Sequence, residues 1–313
     1  MPRYYLGIDG GQSSTTALVA NESGAVIGIG RSGPCNHVTG AEAREKFRRV
    51  IGECIDQATR TLEHGAPEFA AACLGFSGGA EDKLGYAREL IRTPRLKVTN
   101  DAEIALIGAH AGQPGIIIIA GTGSIAFGRN AEGRMARAGG WGYIYGDEGG
   151  AFDLVRQALR ASLQLEEGWG SETIVREKLL AATGQPSANA LLHHFYTQPR
   201  HEIAKLASLV TECAKAGDSI AAGILREAAR QLASYVGGVH RNLFAAAAAV
   251  PVAYIGGVFQ SAPLRITFAE YIRTQIGTEP VRPRLSPAAG ALLEALRLDG
   301  NFAQLTGIPD TKT

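Results

Sequence analysis

Residues 6–19 read LGIDGGQSSTTALV, and residues 116–128 read IIIIAGTGSIAFG. Each stretch is an apolar run, a tight turn of Gly with Ser or Thr, and a second apolar run, a pattern typical of two strands joined by a turn. A backbone without Cβ atoms lets N–H groups approach an anion closely, and the hydroxyls add hydrogen-bond donors. Two such turns, one in each half of the chain, predict two hairpins that hold one polyphosphate from opposite sides.

The predicted elements of the two halves, each of which begins with one of the hairpins, repeat in one order, βββαβαβα, which indicates an internal duplication. The first half is predicted to contain strands 4–9, 15–20, 25–30, 70–75 and 96–99 and helices 41–64, 86–91 and 101–111. The second half is predicted to contain strands 115–120, 124–129, 134–139, 252–256 and 279–282, a helical region over 149–247, and helices 264–275 and 288–297.

Alternating strands and helices predict an α/β fold with a mixed sheet in each half. We expect residues 1–112 together with 287–313 to form one domain. Residues 113–286 are expected to form the other, with a helical elaboration. Two such domains facing each other would leave a cleft, which is where ligands bind and where a hinge closes.

Composition excludes several classes of function. The chain has 313 residues and a formal net charge of +1, so nucleic acid is not an expected partner. No window reaches the roughly 18 apolar residues that a membrane span needs, so a membrane is not expected either. Its four cysteines have no metal-binding spacing, and no signal segment precedes the first strand. These features predict a cytoplasmic protein with free thiols.

Two aspartates stand at the ends of predicted strands. Asp9 precedes the first Gly turn, where a carboxylate can hold Mg²⁺ beside a polyphosphate; the alternative is that it only caps the turn. Asp101 begins a helix after a strand, where it can act as a general base on a substrate hydroxyl; the alternative is a helix N-cap.

Two further glycine-rich segments are candidates for binding. Residues 139–150 read GGWGYIYGDEGG, and an aromatic face with a carboxylate is a common way to bind a sugar; the alternative is a glycine-rich loop anchored by a buried Trp141. Gly256 and Gly257 follow a strand and would let a base or ribose lie against the backbone, or they form a plain turn into a helix. Asn36 and Ser77 also follow strands, where each can bond a sugar hydroxyl.

In combination, these motifs resemble the actin-like sugar kinase and ATPase superfamily, and within it the BadF/BadG/BcrA/BcrD ATPases and N-acetylglucosamine kinases. The matching segments correspond to the first phosphate motif, the second phosphate motif, the adenosine motif and the sugar loop. They are Asp9-Gly10-Gly11 with Ser13, Gly121-Thr122-Gly123-Ser124, Gly256-Gly257, and Gly140-Trp141-Gly142 with Gly146-Asp147-Glu148-Gly149.

The resemblance implies duplicated actin-like domains of the ribonuclease H type, the cofactors ATP and Mg²⁺, and transfer of phosphate to the 6-hydroxyl of N-acetylglucosamine. It places the catalytic base at Asp101 and the metal contact at Asp9. The implied sugar contacts are Asn36, Ser77, Thr122, Trp141, Gly142 and Asp147. The implied nucleotide contacts are Gly10, Gly11, Ser13, Gly121, Thr122, Gly123, Ser124, Gly256 and Gly257.

Three alternatives stay open. The first is that the sugar is glucosamine or another hexose derivative, since discrimination depends on one or two contacts around the 2-substituent. A second is an ATPase that activates a 2-hydroxyacyl-CoA dehydratase, which needs cysteine thiolates around an iron–sulfur cluster. A third is a sugar-sensing regulator, although the chain offers no DNA-reading segment before its first strand. Apolar faces within residues 160–247 are candidates for a homodimer contact, and the alternative is that they pack on their own domain.

Overall fold

The structure is a computed structural model that describes residues 2–11, 13–35, 41–62, 66–77 and 81–308. The chain divides into two compact units. Unit 1 comprises residues 1–113 and 283–313, and unit 2 comprises residues 114–282.

Unit 1 is built on a five-stranded mixed sheet. Its strands are β1 (Tyr4–Gly10), β2 (Thr15–Asn21), β3 (Val26–Ser32), β4 (Ala71–Phe76) and β5 (Leu96–Asn100). The order is β3-β2-β1-β4-β5, in which the first three strands are antiparallel and β4 and β5 run parallel to β1. The carboxyl ends of β1, β4 and β5 therefore lie side by side at one edge, where ligands bind in open α/β sheets.

Helices pack against the sheet of unit 1. They are α1 (Ala41–Ala58), α2 (Glu81–Leu90), α3 (Asp101–Ala109) and α11 (Pro287–Leu298). Helix α1 approaches the sheet closely because Gly28 and Gly30 have no side chains. A Cβ on either glycine would overlap the backbone of the helix. Helix α11 packs on α3, β1 and β4, and the missing side chain of Gly7 makes room for Leu292.

Unit 2 repeats the strand order around a four-stranded sheet. Its strands are β6 (Gly115–Ala120), β7 (Ser124–Arg129), β8 (Met135–Gly139) and β9 (Val252–Ile255). The order is β8-β7-β6-β9, with β6, β7 and β8 antiparallel and β9 parallel to β6. This repetition confirms the predicted α/β class with a mixed sheet in each half.

The predicted strand over residues 279–282 is wrong. Only Val281 pairs with the sheet, as an isolated bridge to Ala253 with hydrogen bonds to Val252 and Tyr254. Pro280 stands next to it and has no N–H to donate, so the ladder does not extend in that direction.

The region of unit 2 that is predicted to be helical consists of helices in the structure. Its helices are α4 (Ala151–Glu166), α5 (Val175–Thr183), α6 (Ala188–Thr197), α7 (Arg200–Ala204), α8 (Ala207–Lys215), α9 (Ser219–Leu243) and α10 (Ala262–Ile276). Helix α9 packs on β6, β7 and β8, and its apolar side chains join the largest core cluster. Within the described residues, every helix is too short or too polar to cross a membrane.

Candidate active site

The first glycine turn lies where β1 gives way to β2. Gly10 has no room for a side chain, because a Cβ there would overlap the ring of Phe76. The Gly11 N–H donates to the Ser14 carbonyl at 2.9 Å, which closes the turn and commits that donor. Ser13 is exposed. The predicted phosphate residues of unit 1 therefore share one tight turn at the carboxyl edge of the sheet.

Two carboxylates stand at this same edge. Asp9 is the second-last residue of β1, just before the first glycine turn. Burial raises the pKa of Asp9 to about 6, with the negative charge of Asp101 as a second cause. The hydroxyl of Ser77, at the end of β4, donates to Oδ2 of Asp101 at 2.7 Å. Unit 1 thus brings together the predicted metal contact, the predicted base and one predicted sugar contact.

Asp101 is not a helix cap. Asn100 is the N-cap of α3, and its side chain accepts a hydrogen bond from the Glu103 N–H at 2.8 Å. The N-cap alternative for Asp101 is therefore wrong, since the neighbouring residue already fills that role. The Asp101 carboxylate instead contacts Ser77, next to Asp9.

A partly buried charged network lies behind α3, and no sequence pattern indicates it. Lys97 donates to Glu103 at 2.8 Å and to Glu294 of α11 at 2.6 Å, and Thr99 donates to the other oxygen of Glu103. Burial acts to lower the pKa of Lys97, but the two glutamates outweigh burial and raise it. This network fastens the start of α3, and with it the backbone next to Asp101, to β5 and α11.

The second glycine turn joins β6 to β7 and contacts the start of α4. The Gly121 N–H donates to Gly123 at 3.0 Å. The carbonyls of Gly121 and Thr122 accept from Ala151 and Phe152 at 2.8 and 3.1 Å. The turn thereby satisfies backbone donors that an α-helix leaves open at its N-terminus, which fixes its position relative to α4.

The loop over residues 139–150 packs directly against this second turn. A Cβ on Gly123 would overlap the Asp147 carboxylate, and the Ser124 N–H lies 3.4 Å from Asp147 Oδ1. Asp147 has φ 62°, a left-handed conformation that is uncommon outside glycine and that concentrates at functional sites. Unit 2 therefore brings Thr122, Gly123 and Ser124 next to Asp147.

The neighbouring carboxylate is directed elsewhere. Tyr235 of α9 donates to Glu148, and burial together with that hydrogen bond raises the pKa of the tyrosine. The backbone carbonyl of Glu148 accepts from the Ser124 hydroxyl at 2.6 Å. Glu148 therefore serves the structure of the loop, whereas the Asp147 carboxylate lies against the second glycine turn.

Trp141 does not anchor the loop in the core. Its side chain is 64% exposed, so the buried-anchor alternative is wrong. The adjacent Gly142 has φ 79° and open space where a Cβ would stand. An exposed aromatic face in the same loop as a carboxylate is an arrangement suited to the C–H face of a sugar.

The two glycines after β9 have different roles. Gly256 has φ 112°, and a Cβ there would overlap the carbonyl of Ala120 at the end of β6, so its identity follows from packing. Gly257 starts a 3-10 turn, Gly257–Gln260, and has no atom within 4 Å of a Cβ position. Of the pair, Gly257 leaves open space for a ligand.

Two adjacent carboxylates are what the described residues of this site offer to a metal. The described residues contain no cluster of three or more His, Cys, Asp or Glu that could hold a metal ion. Asp9 and Asp101 do supply two adjacent carboxylates, and Mg²⁺ is commonly held by one or two carboxylates with phosphates and water. Asn36, a predicted sugar contact, lies outside the described residues.

Comparison with known proteins identifies the family. The BadF/BadG/BcrA/BcrD ATPase family matches residues 6–295. The N-acetylmuramic acid/N-acetylglucosamine kinase of Clostridium acetobutylicum is 37% identical over 243 residues, which cover 74% of this chain and 77% of that protein. The N-acetyl-D-glucosamine kinase of Dictyostelium discoideum is 28% identical over 311 residues, covering 93% and 97%.

The fold is also found in a solved structure. A Chromobacterium violaceum protein provisionally assigned as an N-acetylglucosamine kinase superposes with a TM-score of 0.73 and 26% identity, over 93% of this chain and 98% of its own. The match confirms the predicted resemblance and the duplicated α/β architecture. With the family match spanning both glycine turns, both sheets and most of α11, the chain belongs to the BadF/BadG/BcrA/BcrD ATPase family.

Proposed function

We propose that this chain is an ATP-dependent kinase that phosphorylates the 6-hydroxyl of an amino sugar, N-acetylglucosamine in the first place. The observation that carries the proposal is the pair of Asp101 and Ser77 beside Asp9 at the carboxyl edge of the unit 1 sheet. Two relatives named as kinases of N-acetylglucosamine support the substrate class.

Asp101 acts as the general base in this proposal. The Ser77 hydroxyl holds Oδ2 at 2.7 Å, so the carboxylate is oriented and Oδ1 stays available for the proton of the attacking hydroxyl. The backbone of Asp101 is fixed by the Asn100 cap and by the salt bridges of Lys97 to Glu103 and Glu294. An oriented base of this kind contributes about 10²–10⁴-fold to the rate.

Asp9 and the two glycine turns serve the nucleotide. Mg²⁺, when bound with ATP, neutralises charge that develops on the transferred phosphate. Asp9 is suited to contact the metal or its water shell, because its carboxylate is buried next to a second carboxylate and gains from a nearby cation. The proposed phosphate contacts are Gly10, Gly11 and Ser13 in unit 1 and residues 121–124 in unit 2, where glycine lets an anion approach the backbone. Gly257 leaves room for the adenosine.

The sugar is held by residues of the loop and of the strand ends. Asp147 accepts hydrogen bonds from hydroxyls, the exposed ring of Trp141 covers C–H groups, and Gly142 lets the sugar approach the backbone. Thr122, Ser77 and Asn36 complete the proposed contacts. Glucosamine is the alternative substrate within the same mechanism, as it lacks only the acetyl group.

The activator of a 2-hydroxyacyl-CoA dehydratase is less well supported. Cys35, Cys54, Cys73 and Cys213 are all buried. Burial raises the pKa of each of these thiols, which disfavours the thiolates that a cluster needs. The homodimer, the cytoplasmic location and the domain boundaries at residues 112/113 and 286/287 stay predictions.

A coupled ADP-release assay tests the proposal. Mg-ATP is supplied with N-acetylglucosamine, glucosamine, N-acetylmannosamine, glucose or no sugar, and we expect release that depends on an amino sugar. Asp101→Asn should abolish most of that release, and Asp56→Asn, on the exposed side of α1, is the matched control. Equal release with and without every sugar would contradict kinase activity.

A further inference from the structure

Three arginines surround the aromatic side of the 139–150 loop. The guanidinium of Arg137 lies 4.7 Å from the ring centroid of Trp141, and that of Arg200 lies 4.7 Å from the ring centroid of Tyr143. Arg156 donates to the Tyr143 carbonyl at 2.9 Å. A neutral sugar is recognised by hydroxyl contacts and by an aromatic face. Binding of a neutral sugar therefore does not account for three positive charges at this loop.

The three arginines are not equally available. Arg156 is occupied by Asp153, with its Nη2 and Nε at 2.6 and 3.2 Å from Oδ1. Arg137 stacks on the ring of Trp141. Arg200 lies beside Asp147, the carboxylate that is proposed to bind the sugar, with Nη1 3.8 Å from Asp147 Oδ2.

The side chain of Arg200 is held in place, and within the described residues no hydrogen bond occupies its donors. Its stack on Tyr143 fixes the plane of the guanidinium, and the side chain is 48% exposed. In the part of the chain that the structure describes, the separation from Asp147 exceeds hydrogen-bond length, so the pair is a loose ionic contact. A planar guanidinium with open donors matches a carboxylate in a bidentate geometry.

We propose that Arg200 is a specificity-determining residue that binds a carboxylate substituent on the amino sugar. The inference rests on the proposed function, because it takes Asp147 as a contact to the sugar. The acidic amino sugar in question is a hexosamine that carries a carboxyalkyl ether, as does N-acetylmuramic acid, one of the two sugars in the name of the Clostridium acetobutylicum relative. What the inference adds is the residue that binds its carboxylate. Asp147 keeps the guanidinium beside the sugar, and the substrate carboxylate supplies the close hydrogen bonds that Asp147 does not.

The test compares three sugars that differ in one charge. They are N-acetylglucosamine, N-acetylmuramic acid, and the methyl ester of N-acetylmuramic acid, which keeps the ether but removes the charge. The variants are Arg200→Gln and Arg200→Lys. Arg273→Gln is the matched control, since Arg273 is 49% exposed and forms an ion pair with Glu279 on the same unit.

Arg200→Gln should lower kcat/KM for the acid by about 10–100-fold, the range for a charge-assisted hydrogen bond. The values for N-acetylglucosamine and for the ester should stay near those of the parent enzyme. Arg200→Lys should recover part of the loss, since it restores the charge without the planar fork. Arg273→Gln should leave all three values unchanged.

Several outcomes would overturn the inference while the proposed function stands. One is that the parent enzyme phosphorylates N-acetylglucosamine but not the acid. Another is that Arg200→Gln lowers kcat/KM equally for the acid and for the ester. A third is that it raises the KM for ATP with every sugar, which would assign Arg200 to the nucleotide. Failure to phosphorylate any sugar would overturn the proposed function itself.

Discussion

Asp9→Asn should make the ligand-free protein more stable at alkaline pH. Burial and the charge of Asp101 raise the pKa of Asp9 to about 6, from an ordinary value of 3.8. At 1.36 kcal/mol per pKa unit, ionising this carboxyl costs the folded state about 3 kcal/mol. Asparagine keeps the shape of the side chain without the charge, so the variant should recover up to that amount.

The gain should depend on pH in a defined direction. Between pH 3.8 and about 6, the folded protein binds more protons at Asp9 than the unfolded chain does. Stability therefore falls as pH rises through this window, and the full penalty is present above it. The advantage of the variant should be about 3 kcal/mol at pH 8 and about 1 kcal/mol at pH 4.5.

Hydrogen exchange at the amides of Leu6 and Ile8 measures this quantity. Both residues are buried in β1, whereas Trp141 and Trp169 lie in unit 2, so tryptophan fluorescence would report on the wrong unit. A gain of about 3 kcal/mol slows exchange through global opening of unit 1 by more than 100-fold at pH 8. Each pair of proteins is compared at one pH, with Asp56→Asn as control.

A stabilisation that is equal at both pH values would refute the reasoning, because it would not come from the charge. So would an Asp9→Asn protein less stable than its parent at pH 8. Mg-ATP provides a second check. It should slow β1 exchange in the parent and do so much less in the variant, because the cation offsets the penalty only where a carboxylate is present.

Three further predictions concern the proposed reaction. Asp101→Asn should lower kcat by about 10²–10⁴-fold with little change in the sugar Kd measured by calorimetry, and an unchanged kcat would remove it as the base. Gly256→Ala should lower Tm by several degrees, since a Cβ overlaps the Ala120 carbonyl, whereas Gly257→Ala should keep its Tm and raise the KM for ATP. Asp147→Gly should keep or raise Tm, because φ 62° suits glycine, and should raise the sugar KM by about 10-fold or more; an unchanged KM would show that Asp147 does not contact the sugar.

The parts of the fold that the sequence predicts are those with local signals. Apolar runs around Gly turns identify β1, β2, β6 and β7, because strand alternation and turn composition are properties of neighbouring residues. Asp9, Asp101 and Asp147 are recognisable for the same reason, since each stands at a strand end or within a glycine-rich segment.

The remainder depends on contacts between distant segments. Lys97 and Glu294 are 197 positions apart, and no pattern around either residue indicates that they form an ion pair. The exposure of Trp141 is set by how residues 139–150 pack on the second turn and not by the residues beside it. The absence of a strand over the described residues 279–282 had a local signal in Pro280, but a prediction from the apolar pattern alone does not take proline into account.

Helix α11 belongs to unit 1 although all of unit 2 lies between it and β5. Its Leu292 packs where Gly7 leaves room, and its Gly290 approaches α3 closely. A ribosome must therefore synthesise the whole of unit 2 before unit 1 can complete its core. Unit 2 is one continuous segment of the chain, so it can complete its core during synthesis before unit 1 does, although unit 1 begins first in the sequence. Until α11 emerges, nascent unit 1 presents part of an apolar sheet face to chaperones and to other chains.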